Sequence, residues 1–215
     1  MNKTVYLYVL DTMADWEIGY LTAELHSGRY FKDGIKPYKV VTVGVQKIPV
    51  TTMGGLRITP DIIIRDCIPE NENIAALILP GGDTWLEAVH EPILNKAKEF
   101  LDIGITVGAI CGATVGFAKA GFLDTVPHTS NSLDYLKQVC PDYKGEEFYR
   151  QEAAVAFGGM ITATGNAPLE FAYRVLQTLE VFSPATLEAW YRLNSTRSEI
   201  YFYELMKSLP GERSY

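Results

Sequence analysis

The sequence predicts an α/β fold whose helices pack on a mainly parallel β-sheet. Two observations carry that prediction. Runs such as residues 4–10 (TVYLYVL) and 74–79 (IAALIL) are apolar almost without interruption, the pattern of strands covered on both faces. Stretches with helical spacing alternate with them, so consecutive strands are joined by helical crossovers and lie parallel.

Residues 4–10 form the first strand. Asp11 or Thr12 is placed to cap a helix over residues 14–27, with Trp16, Tyr20, Leu21, Ala23 and Leu25 on its apolar side and Gly28 as its stop. Residues 38–45 form a second strand. Residues 50–53 and 56–58 flank Gly54 and Gly55 as a hairpin, and Pro60 with Asp61 opens a short turn or helix. Residues 74–79 form a strand that ends at Pro80, Gly81 and Gly82. Residues 92–101 form a helix with Pro92 in its first turn. The next strand, residues 105–110, runs straight into Cys111 and a helix over residues 113–120.

Beyond that corner, residues 126–129 read as a short strand and 133–139 as a helix ended by Pro141. Residues 153–157 and 160–163 make a second hairpin around Gly158 and Gly159, and 168–179 an amphipathic helix. A helical tail from Ser183 to about Leu209 presents Leu187, Trp190, Tyr191, Tyr201, Leu205 and Leu209 as one apolar face. The expected organisation is one domain over residues 1–182. A helical C-terminal extension over 183–215 packs on the body or on a second subunit.

With 215 residues, 47% of them hydrophobic, the chain can bury a sizeable single core. A net charge of −7 and a pI of about 5.0 argue against nucleic acid and anionic membranes as partners. Three cysteines with no close pair suit a reducing compartment rather than a disulfide scaffold. The first apolar run is too short for a signal segment, and no stretch approaches the ~20 apolar residues of a membrane span. The expected setting is the cytoplasm. Cysteines and histidines show no ligand spacing, so no metal and no other cofactor is expected.

Cys111 is the candidate nucleophile. Gly108 and Gly112 flank it at a strand-to-helix corner, where a sharp turn needs small residues and lifts the side chain off the sheet. The amides that open the following helix favour an anion there. That effect alone lowers a thiol to a pKa of roughly 7.5. Cys67 and Cys140 lack the glycine corner and read as buried apolar residues.

In open α/β sheets ligands collect beyond the carboxyl ends of the strands. Three further features lie just after predicted strands or the Cys111 helix. Gly81 and Gly82 let backbone approach a substrate, and the Gly82 amide with that of Gly112 makes a candidate oxyanion hole. His128 is a candidate base or ion-pair partner for the thiolate. Glu17, if desolvated over the sheet against Trp16, is expected to have a raised pKa and, protonated, to donate a hydrogen bond to Cys111 or pass a proton to substrate. Gly81 and Trp16 are the expected substrate-binding residues.

Taken together, ADWE at 14–17, LPGG at 79–82, AICGAT at 109–114, HTSN at 128–131 and ITATG at 161–165 resemble the ThiJ/PfpI superfamily. The resemblance spans about residues 3 to 180. It implies a class I glutamine amidotransferase-like fold, a flavodoxin-like three-layer sandwich. It also implies Cys111 as nucleophile, Glu17 as the acid bonded to it, His128 as accompanying histidine, and Gly82 and Gly112 as oxyanion amides. Two departures matter. Proteases of that superfamily carry His directly after the cysteine, where this chain has Gly112. Glutamine amidotransferases carry a late His and Glu pair, and ATGNAPLE at 163–170 has no His. The activity expected is that of a cysteine-dependent enzyme on a small electrophile, of glyoxalase, deglycase, hydrolase or hydratase type. A peptidase or amidase is the alternative, as is an oxidation sensor or chaperone using the same cysteine. Members of the superfamily are commonly dimers, so a homodimer is expected.

Overall fold

The computed structural model describes residues 2–68 and 73–210. Its centre is a seven-stranded sheet in the order β5-β2-β1-β6-β7-β9-β8. The strands are β1 Thr4–Tyr8, β2 Lys39–Gly44, β5 Ile62–Ile63, β6 Ile74–Leu79, β7 Thr106–Ile110, β8 Ala154–Phe157 and β9 Met160–Ala163. All neighbours are parallel except β8 and β9. A separate antiparallel ribbon, β3 Val50–Thr51 with β4 Arg57–Ile58, stands over the end of β1. The helices are α1 Gly19–Ser27, α2 Glu91–Asp102, α3 Gly112–Lys119, α4 Leu133–Val139, α5 Pro168–Thr178, α6 Pro184–Thr196 and α7 Glu199–Lys207. No helix among the described residues is long and apolar enough to cross a membrane.

The core follows from the apolar runs. Every residue of β6 and β7 is buried, as expected of strands covered on both faces. The strand order sets the functional edge. From β1 the chain steps outward to β2 and β5, then returns to place β6 on the other side of β1. The loops after β1 and β6 therefore leave the sheet side by side, which is where such folds open a crevice. A hydrogen bond from the Ala14 amide to the Gly81 carbonyl, 3.0 Å, ties the two loops together.

Several expected elements differ. The helix expected over residues 14–27 splits into a 3-10 turn, Asp15–Glu17, and α1. Asp11 and Thr12 cap neither piece. Asp11 accepts from the Thr51 amide and Thr12 from the Asp83 amide, so both anchor neighbouring loops instead. Trp16 and Tyr20 are exposed, whereas Glu24 is buried. Residues 62–63 add an edge strand where only a turn or helix was expected. The strand expected at 126–129 is a single bridge between His128 and Tyr149.

The tail is two helices broken at Arg197, whose φ is 60°. It lies on the body. Trp190, 1% exposed, donates from Nε1 to Glu24 of α1 at 3.0 Å, and Tyr191 donates to Glu170 of α5. Residues 211–215 of the expected extension lie outside the described residues.

Candidate active site

Cys111 stands at the corner between β7 and α3 with φ 57° and ψ −123°. A non-glycine residue holds such a backbone only when its surroundings enforce it. Here its amide donates to the Ala163 carbonyl of β9 at 3.0 Å. Its carbonyl accepts from the Thr114 hydroxyl at 2.6 Å, and Ser130 in turn bonds that hydroxyl. Gly108 takes the approach of Phe171, since a Cβ there would lie 2.8 Å from the ring.

Glu17 comes to this corner from the turn after β1. It is fully buried, and its Oε2 accepts from the Gly81 amide at 2.6 Å. Its Oε1, equally buried, has no hydrogen-bond partner among the described residues. Glycines let the two groups crowd together. A Cβ on Gly81 would stand 2.7 Å from the Cys111 Cβ and 2.8 Å from Glu17 Oε1. On the other flank, a Cβ on Gly165 would stand 2.6 Å from the Cys111 sulfur and 3.3 Å from the same Oε1.

The electrostatics of the pair follow from burial. Desolvation pushes Glu17 up to about 7, against the pull of the Gly81 amide. Desolvation also pushes the Cys111 thiol up to about 11, and the Glu17 charge adds to it. Asn131 and the Gly112 amide pull the thiol back only in part. The roughly 7.5 expected from the helix end alone is thus overturned in direction: burial beside a carboxylate outweighs one helix terminus. Since the two groups interact, they titrate as a pair, and at neutral pH the pair carries about one negative charge or less.

The structure does not bring His128 to the thiol. The imidazole is fully buried, with Nδ1 2.7 Å from the Val126 carbonyl and Nε2 2.6 Å from the Tyr143 hydroxyl. Both nitrogens are committed, and burial holds the ring's pKa down. Asn131, three residues on, occupies the place expected for it. Asn131 Nδ2 lies 3.3 Å from the Cys111 sulfur, while its Oδ1 accepts from the Gly165 amide at 2.8 Å. The Gly165 N–H is only a donor, so Oδ1 must face it and the NH₂ must face the sulfur. Asn131 is the last residue of the HTSN segment and was not among the expected site residues. A signal was available: a second polar side chain in the same segment with both donor and acceptor capacity.

Gly82 and Gly112 do meet. A Cβ on Gly112 would stand 2.5 Å from the Gly82 carbonyl and 3.2 Å from its nitrogen, so no larger residue fits at 112 without moving that loop. Gly112 opens α3, where amides have no intrahelical acceptor. Gly81 is buried with its amide on Glu17, so it shapes the acid rather than offering a contact to substrate. Trp16, expected to bind substrate, is 51% exposed and is not among the residues lining the pocket above the sulfur; its Nε1 donates to the Gly165 carbonyl at 2.9 Å. The Gly81 loop packs directly on the Glu17 carboxyl. The opening above the sulfur is a pocket of about 250 Å³ lined by Gly82, Asp83, Trp85, Leu86, Cys111, Gly112, Val115, Asn131 and Tyr135. Cys67 and Cys140 are buried, as expected, and desolvation raises the pKa of both.

Comparison with known proteins gives the family. The chain is 54% identical over 208 residues to a Bacillus subtilis (strain 168) protein named "Uncharacterized protease YoaZ", covering 97% of this chain and 98% of that one. It is 28% identical over 145 residues to the "Glutathione-independent glyoxalase DJR-1.2" of Caenorhabditis elegans, covering 66% of this chain and 74% of the relative. Among solved structures, a thiJ/pfpI family protein from Bacillus anthracis superposes with a TM-score of 0.94 at 53% identity, covering 98% of this chain and 99% of the other. Residues 3–178 match the profile of the DJ-1/PfpI family, and the chain belongs to that family.

Proposed function

We propose that the protein is a cysteine-dependent enzyme acting on a small electrophilic carbonyl compound, with methylglyoxal as the first substrate to test. The observation that carries this reading is the Glu17 oxygen Oε1. It is buried with no hydrogen bond of good geometry among the described residues, and it faces the crowded Cys111 thiol, on a carboxyl whose pKa of about 7 lets it take and return a proton at neutral pH. A fully buried carboxyl half-ionised at neutral pH is costly to keep unless it has a proton to move.

In the proposed cycle the thiol proton passes to Glu17 as the sulfur bonds to the aldehyde carbon. The C=O electron pair moves onto oxygen, where the amides of Gly82 and Gly112 receive it. Glu17 returns its proton to that oxygen, which completes the hemithioacetal; the proton on the former aldehyde carbon then moves to the neighbouring carbonyl carbon and the hydroxyl proton to that carbonyl's oxygen, through an enediol, which gives a thioester of a 2-hydroxy acid. Water then breaks the carbon–sulfur bond and the thiol is restored. One aldehyde is oxidised, the adjacent carbonyl is reduced, and a single water is consumed. The relative named as a glyoxalase supports this class of chemistry.

Peptide hydrolysis has the name of the Bacillus subtilis relative in its favour. Against it, neither buried imidazole among the described residues is free to serve the thiol. His128 is committed on both nitrogens, and His90 likewise, to Tyr8 and Thr84. The test measures loss of methylglyoxal and formation of the hydroxy acid with wild type, Cys111→Ser and Glu17→Gln. Turnover indifferent to Cys111→Ser would remove the enzyme reading.

A further inference from the structure

The walls of the Cys111 pocket are lopsided in charge. Among its nine lining residues there is no Lys, Arg or His, and the one charged side chain is Asp83. Asp83 follows the Gly81–Gly82 backbone directly, and its amide is held by the Thr12 hydroxyl at 2.8 Å. Its carboxylate makes no hydrogen bond or ion pair among the described residues. The pocket floor adds negative charge, since the Glu17–Cys111 pair carries an anion whenever Glu17 is ionised. Lys119 donates to the carbonyl of the lining residue Leu86 at 3.0 Å, but its own side chain does not line the pocket. Trp85 and Tyr135 contribute aromatic rings, which favour cations over anions.

We propose that this pocket selects electrophiles that bear no negative charge, and that Asp83 sets the choice. The substrate class is then neutral carbonyl compounds and those carrying an ammonium group. Keto acids and phosphorylated carbonyls are disfavoured, because no cationic side chain lines the pocket to neutralise their charge, the amides there being taken by the reacting oxygen, while Asp83 repels it. The inference rests on the reading of Cys111 as the reacting group of this pocket.

The experiment uses methanethiosulfonate reagents of one size series: neutral methyl, cationic trimethylammonioethyl and anionic sulfonatoethyl. In each, the Cys111 thiolate attacks the sulfenyl sulfur. A disulfide bond forms, the bond to the sulfonyl sulfur breaks, and methanesulfinate leaves with the electron pair. Modification is followed on the Cys111 peptide by mass spectrometry, which separates it from Cys67 and Cys140. Each rate is divided by that of a small free thiol. Wild type is expected to react at least about tenfold faster with the cationic than with the anionic reagent at low salt. Asp83→Asn is expected to reduce that ratio at least threefold, and Asp83→Lys to reverse it. A normalised wild-type ratio within threefold of unity, or one that Asp83→Asn and Asp83→Lys leave unchanged, overturns the inference while leaving the nucleophile in place. Failure of the neutral reagent to modify Cys111 would instead remove the reading beneath it.

Discussion

Asn131 holds the Cys111 sulfur from a distance of 3.3 Å, and its orientation is dictated by the Gly165 amide on its other end. The amide NH₂ is the one side-chain donor to that sulfur among the described residues, so it supports the thiolate at the moment of attack. Asn131→Ala is expected to slow iodoacetamide alkylation of Cys111 about tenfold at neutral pH, and to move its pH midpoint upward. Asn131→Asp is expected to slow it further by adding a second carboxylate. Alkylation of Asn131→Ala at the wild-type rate would show that the contact does nothing for the sulfur.

Glu17 gives a pH signature in stability as well as in rate. Its folded pKa of about 7 lies above the unfolded value, so the folded state holds the proton more tightly. Its stabilising contribution is complete below the unfolded value, near 4.3, and is lost as pH rises through about 7. Between pH 5 and 8 wild type is expected to lose about 3 kcal/mol that Glu17→Gln retains, read from urea unfolding at each pH. The contrast removes the opposite contributions of His90 and His128, whose pKa values burial lowers in both proteins. Parallel pH curves for the two proteins would mean the carboxyl is not held neutral by the fold.

His128 is expected to behave as a structural residue. His128→Ala removes a buried ring that links Val126 to Tyr143 and is expected to cost about 2 to 4 kcal/mol. Below its melting temperature the variant is expected to alkylate at Cys111 within threefold of wild type. A selective loss of alkylation, with the fold intact by circular dichroism, would restore the histidine to the chemistry.

What was readable in the chain, and what was not, follows from range. The corner at Cys111 is written in consecutive residues, because a strained turn and two flanking glycines are local requirements. The raised pKa of Glu17 was readable from its expected burial, but the part of the Gly81 loop in that burial was not, since it depends on β1 and β6 being neighbours. Asn131 and His128 sit three residues apart in one irregular segment. Only the path of that segment past Thr162 and Glu152 decides which one faces the sulfur. The two-residue strand Ile62–Ile63 has too few residues to show a period. Glu24 reads as a solvated helix residue until Trp190, 166 positions later, is laid against it.

Gly165 tests how tightly the site is built. Its φ is not in the left-handed region, so an added methyl is opposed by space rather than by backbone preference. Gly165→Ala is expected to cost about 1 to 3 kcal/mol and to abolish turnover. In a Cys111→Ala background the sulfur is gone, although the Cys111 Cβ contact at 2.9 Å remains. The cost of Gly165→Ala should therefore fall there by about 1 kcal/mol, measured as a double-mutant cycle. Strict additivity would place the clash somewhere other than the sulfur.

The tail is expected to be part of the folded body, and Trp190 separates packing from polarity there. Trp190→Phe keeps most of the ring but leaves Glu24 Oε1 without its indole donor, although Arg29 remains on the carboxylate. That change is expected to cost about 1 to 2 kcal/mol. Trp190→Ala also empties the space against Phe182 and Tyr20, and is expected to cost about 3 to 5 kcal/mol. Removing residues from Ser183 onward would expose Phe182 and strip Glu24 together, so the shortened chain is expected to lose cooperative unfolding rather than merely change its mass in solution. A truncated chain that melts as sharply as wild type would mean α6 and α7 rest on a body that is complete without them.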